Sequence, residues 1–260
     1  MSTQDTFVSH LVELRERVVR ALAAVAVVFA VLFAWPGAAA IYDFLAQPLM
    51  LALPEGAKMI ATGVITPFMV PMKVTALVAF LVALPVVLYQ AWAFVAPGLY
   101  EHEKKLALPI VVASSVLFLV GVAFCYYFVF GTVFRFINDF APKSITPAPD
   151  IEAYFSFVIT MFLAFGVTFE IPIVVILLVR AGAVSIEKLR DARPYVVVGA
   201  FIVAAIVTPP DVISQFMLAV PMCLLYEAGL LVARMMGKRV DGESDYKPMS
   251  DAEAERELER

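Results

Sequence analysis

Five ionisable side chains crowd into one short connection, "FVAPGLYEHEKK" (Phe94–Lys105): Glu101, His102, Glu103, Lys104 and Lys105. Long apolar runs flank it on both sides. Carboxylates beside a membrane surface are suited to holding arginine, whose planar guanidinium offers paired N–H donors to one carboxylate. A plainer account stays open. Pro97 and Gly98 stop the preceding helix, and Glu101 and Glu103 then fall in the first turn of the next. There the helix dipole favours an acid by about 0.3–1 kcal/mol. A different chemistry attaches to Glu170 in "FGVTFEIPIV", the eighteenth residue of the 27-residue run Ala153–Val179. An ionised carboxylate at such depth costs at least about 2.5 kcal/mol, so the side chain should face protein or water. It would serve as a polar contact for a partner helix or handle a proton. The alternative is a carboxyl hydrogen-bonded to Thr168 or to a neighbouring helix, with Pro172 freeing a nearby carbonyl.

Three weaker candidates follow. Asp211, after the two prolines of "TPPD", has the position of a helix N-cap. Glu227 lies near a membrane boundary, where charge is cheap. In "FVSHLVELRER", Phe7, Leu11, Leu14 and Val18 recur at helical spacing and form an apolar stripe suited to the cytoplasmic membrane surface. Glu13 and Arg17 are four apart, as are Glu16 and Arg20; such ion pairs contribute about 0.3–0.5 kcal/mol each. Enzymatic readings fare poorly. His10 and His102 lie outside the apolar runs, Gly-x-Ser-x-Gly and His-Glu-x-x-His are absent, and no phosphate-binding glycine loop or metal-spaced cluster occurs. No catalytic residue, metal, cofactor or nucleic-acid partner is expected.

The elements that must position these groups are helices in a bilayer. Hydrophobic residues make up 62% of the 260 and charged residues 16%, with a mean hydropathy of +0.91; soluble domains run near 45–50% and about 25%. A bilayer core of about 30 Å takes roughly 20 apolar residues as helix. Spans are therefore expected near 18–35, 74–95, 106–131, 153–179, 195–207 and 212–233, six in all, in one membrane domain over 1–237. The "GAAA" at Gly37–Ala40 resembles a signal-peptide cleavage site, but the apolar region before it is too long and carries Glu13 and Glu16 upstream. The fifth span is short, and the sixth has only 15 uncharged residues (Val212–Tyr226) before Glu227; thinning of the bilayer or shielding by partners should accommodate both. Residues 238–260 form an acidic tail expected to be disordered. Within it, residues 241–260 hold eight acids against three basic residues, which accounts for the net charge of −4 and leaves residues 1–240 slightly positive. Twelve lysines and arginines fall on the side of the N-terminus and the even-numbered connections, against four on the other, which predicts both termini in the cytoplasm. The outer segment Pro36–Lys73 holds five prolines, and "IYDFLAQPLMLAL" within it reads as a short amphipathic helix. Cys125 and Cys223 lie in apolar runs and predict neither disulfide nor metal site.

Taken together, "HLVELRER", "YQAWAFVAPGLYEHEKK", "AFGVTFEIPIVV" and "RPYVVVGAFIVAAIVTPPDVISQ" resemble the TatC family, the six-span receptor of the twin-arginine protein translocase, in order from about Phe7 to Arg234. The resemblance implies an all-α, cup-like bundle of six transmembrane helices with both termini cytoplasmic, an extracytoplasmic cap and short final helices, in the bacterial inner membrane. It implies a receptor that binds the twin-arginine signal peptides of folded cargo and assembles, in several copies, with single-span subunits of TatA and TatB type. Glu103 and Glu13 match the acids that engage the arginine pair, Phe94 a residue beside them, and Arg15 and Pro48 positions of functional sensitivity. Glu170 matches the family's intramembrane acid, expected at the partner helices, and Asp211 the acid of the tight hairpin. Lys104 and Lys105 replace arginines of many relatives, and Met69 stands where some carry an acid. A reading of another class is a proton-coupled small-solute transporter with Glu170 as carrier.

Overall fold

The computed structural model describes residues 3–54, 56–95, 107–140, 142, 148–208 and 211–237. Ten α-helices are found among them: α1 Thr3–Ala34, α2 Ala38–Met50, α3 Thr66–Val95, α4 Ala107–Phe124, α5 Phe130–Phe140, α6 Ile151–Phe169, α7 Ile171–Arg180, α8 Ile186–Asp191, α9 Arg193–Val207 and α10 Val212–Gly237. A π turn, Cys125–Val129, joins α4 directly to α5. The only β feature among the described residues is an isolated bridge between Ile60 and Asp150. The molecule is all-α.

Five segments are long and apolar enough to cross a bilayer: Leu11–Ala34, Thr66–Phe94, Leu108–Phe140, Ile151–Arg180 and Val212–Met235. The apolar helix α9 is shorter, at 15 residues, or about 22 Å at 1.5 Å per residue. Helix α10 runs on past Glu227 to Gly237 and reaches 26 residues. Two further features have plain causes. The N-terminal stripe and the first span share one helix, because α1 is continuous from Thr3 to Ala34 and contains no proline or glycine to break it. The run Ala153–Val179 is interrupted at Glu170, where α6 ends and α7 begins with Pro172 near its start.

At one end of the bundle, α2 lies against α3 and α5 and buries Ile41, Leu45, Ala46 and Leu49. This end is closed by Asp150, which caps α6 by accepting from the N–H groups of Glu152 (2.9 Å) and Ala153 (3.1 Å). The same carboxylate accepts from the Thr62 hydroxyl (2.8 Å) and N–H (3.1 Å). The Thr62 hydroxyl, then the Ala153 N–H, holds the Asp150 carboxyl below its ordinary range, because donors stabilise the charged form. Lys73 meets Glu152 at 2.9 Å across the same end.

The middle is aromatic. Phe130, Phe155, Phe162 and Phe165 are fully buried, and Phe130 stacks on Phe162 with centroids 5.5 Å apart. Between helices in lipid, association rests on close packing rather than on removal from water. At the crossing of α4 and α6, a Cβ on Gly121 would stand 2.6 Å from the Phe165 carbonyl oxygen. Only glycine permits that approach.

Candidate binding site at the end opposite the cap

Helix α1 packs along α3, with the cap segment joining the end of α1 to the start of α3. The first turns of α1 and the last turns of α3 therefore fall together, away from the cap. Glu13 is on α1 and half-exposed; Arg17, one turn on, gives it both Nε (2.9 Å) and Nη2 (2.5 Å), each to Oε1. The carboxylate thus already faces a guanidinium fork within its own helix. Glu16 and Arg20 repeat the spacing in a looser, exposed pair at 3.2 Å. Arg15 is exposed. Leu11, Leu14 and Val18 are exposed too, at 50%, 38% and 47%, which leaves an apolar stripe beside the acids.

Phe94 stands half-buried in the last turn of α3. Glu103, with Glu101, His102, Lys104 and Lys105, lies outside the described residues. What is described is the base of their connection. The Trp92 indole N–H, late in α3, donates to the Ser114 hydroxyl, early in α4, at 3.2 Å. This bond ties the two helices at the foot of the loop, and the sequence reading had missed it. The signal that could have found it is general: a tryptophan in an apolar run must still pair its N–H.

Glu170 sits at the junction of α6 and α7, with both carboxyl oxygens buried and without a hydrogen-bond partner. The Ser114 hydroxyl is its polar neighbour. Thr168 is buried and does not satisfy the carboxyl. The Gln90 side-chain oxygen is likewise buried and unpaired. An unpaired polar group in such surroundings is expensive, so this interior carries unused hydrogen-bonding capacity.

The remaining singled-out residues lie elsewhere. Asp211 caps α10, its Oδ1 accepting from the Ser214 N–H at 2.7 Å, while Oδ2 is buried and unpaired. Pro48 lies inside α2, in the cap. Arg193 and Glu227 form a half-exposed pair beside α8, where the Tyr226 hydroxyl donates to the Leu189 carbonyl at 2.7 Å. No group of three or more metal-ligating side chains occurs among the described residues. The arrangement can bind cations at one end and offer a polar contact within the membrane.

Comparison with known proteins gives one consistent result. The family model described as "Sec-independent protein translocase protein (TatC)" matches residues 9–221. The Sec-independent protein translocase protein TatC of Haemophilus influenzae is 48% identical over 246 residues, covering 95% of each chain. That of Escherichia coli K12 is 47% identical over 236 residues, 90% of this chain and 91% of its own. A crystal structure of a twin-arginine translocase receptor, TatC, superposes with a TM-score of 0.75 at 35% identity, covering 87% of this chain and 98% of that one.

Proposed function

Because this chain belongs to the TatC family of Sec-independent protein translocase proteins, we propose that it binds the twin-arginine signal peptides of folded cargo and assembles with single-span subunits for export. Helix α9 serves as a short sixth span, and both termini face the cytoplasm, in the inner membrane. The receptor surface is then the end opposite the cap. Glu13 and Glu103 clamp the two guanidiniums, Phe94 packs beside them, and Arg15 contributes from the exposed face of α1. Selectivity for arginine over lysine follows from the fork, since an ammonium offers a single point charge.

The observation that most supports this reading is the packing of α1 along α3. It sets Glu13 at the same end as Phe94 and the connection that carries Glu103. The Glu13–Arg17 fork supports it further, because an intramolecular arginine already takes the pose asked of the ligand. Glu170 is the docking contact for a partner's transmembrane helix, where its unpaired oxygens meet a donor. Several copies assemble, with partners of TatA and TatB type, and the membrane potential drives transport.

Photocrosslinking in membrane vesicles tests the assignment. A photoreactive residue at position 94 or 103 should capture a twin-arginine signal peptide, and one at Val64 in the cap should not. Capture from Val64 alone would remove the proposed site.

A further inference from the structure

Pro48 sits within α2, and a proline has no N–H to give the carbonyl four residues back. That carbonyl belongs to Phe44. It is not left unpaired: the Tyr126 hydroxyl, from the π turn, donates to Phe44 O at 2.7 Å. The rings of Phe44 and Tyr126 stack at 5.3 Å. One residue along, the Tyr154 hydroxyl of α6 donates to Leu45 O at 2.9 Å. A third donor, the Asn138 amide of α5, reaches Ala52 O at 2.6 Å, just beyond the end of α2. Tyr126 and Tyr154 are buried, so their hydroxyls need these acceptors.

The π turn makes the set possible. Tyr126 and Asn138 are twelve residues apart, and at about 100° per residue a straight α-helix would set them roughly 120° apart. One additional residue in the turn brings them to within about 20° of one face. Helix α2 is therefore bound through its own backbone rather than by apolar contact alone.

We infer that Pro48 acts by exposing the Phe44 carbonyl as an acceptor, and that Tyr126, with Tyr154 as its second anchor, is a positioning residue that fixes the cap helix to the spans. The cap in turn joins α1 to α3, so its seating sets the relation between the two helices whose far ends carry Glu13 and Phe94. Removal of the Tyr126 hydroxyl leaves the ring stack in place but strands a carbonyl. Restoring an N–H at position 48 gives that carbonyl a donor inside its own helix.

The test is amide hydrogen exchange of α2 in the full chain reconstituted in nanodiscs, which requires neither cargo nor partner and so is independent of the receptor reading. Tyr126→Phe should speed exchange across α2 roughly five- to hundred-fold, the range for stranding one buried acceptor. In a Pro48→Ala background the same change should have less than about a third of that effect. Tyr154→Phe, aimed at a carbonyl whose helical donor Leu49 is intact, should act alike in both backgrounds. Equal effects of Tyr126→Phe with and without Pro48 would overturn the inference. Should Pro48→Ala fail to fold, the isotope-edited infrared band of the Phe44 carbonyl in the native proline background decides: it should rise in frequency on Tyr126→Phe, and an unmoved band overturns the inference.

Discussion

Glu170 shows how one side chain acquires meaning from its neighbours. Both its oxygens are buried without a hydrogen-bond partner, and the adjacent Ser114 hydroxyl, which accepts from Trp92, is its polar neighbour. A partner helix bringing a hydrogen-bond group would satisfy it, with interhelical bonds in membranes contributing about 0.6–2 kcal/mol. Glu170→Gln keeps a polar group of the same shape, whereas Glu170→Ala removes it. Co-purification of single-span partners should therefore survive Gln and fall roughly three- to thirty-fold with Ala; recovery with Ala equal to that of the native chain would remove the docking role. The depth of Glu170 could be read from its apolar run, but its want of a partner could not. That depends on which residues three helices bring to one level.

At the level of elements, the crossing of α4 and α6 rests on Gly121, where an added Cβ would lie 2.6 Å from the backbone oxygen of Phe165. Gly121→Ala should destabilise the detergent-solubilised protein by about 1–3 kcal/mol, the usual range for overpacking. Gly131→Ala, with nothing within 4 Å of its added Cβ, should be neutral or gain up to about 1 kcal/mol of helix propensity. Similar loss from both substitutions, measured by thermal unfolding, would contradict the close crossing. Helices of this kind are readable from sequence because hydropathy and proline placement act locally. "TPPD" announces the break before α10, and Asp211 caps it as its position predicted. The π turn and the anchoring of α2 were not readable. Nothing local to Tyr126 says that its acceptor is Phe44, 82 positions away, and a proline in a cap helix looks like a simple breaker until the donor for its orphan carbonyl is found.

Over the whole molecule, the described residues divide into two chemically different ends. The cap end is closed by hydrogen bonds, at Asp150 and Thr62 and at the α2 carbonyls. The opposite end carries the acids and arginines of early α1, the foot of the Glu103 connection, and the basic residues Lys188, Arg190 and Arg193 around α8. In the proposed topology that end meets the cytoplasm, where positive charge is retained and cargo arrives. Arginine selectivity is the property on which the receptor account rests, and a titration in nanodiscs reads it directly. Two fluorescent signal peptides, identical except for an arginine pair or a lysine pair, are titrated against the native chain and Glu103→Gln. The arginine peptide should bind the native chain at least about ten-fold more tightly than the lysine peptide, a difference of about 1.4 kcal/mol, and Glu103→Gln should bring the two together. Undiminished preference for arginine in Glu103→Gln would contradict the account.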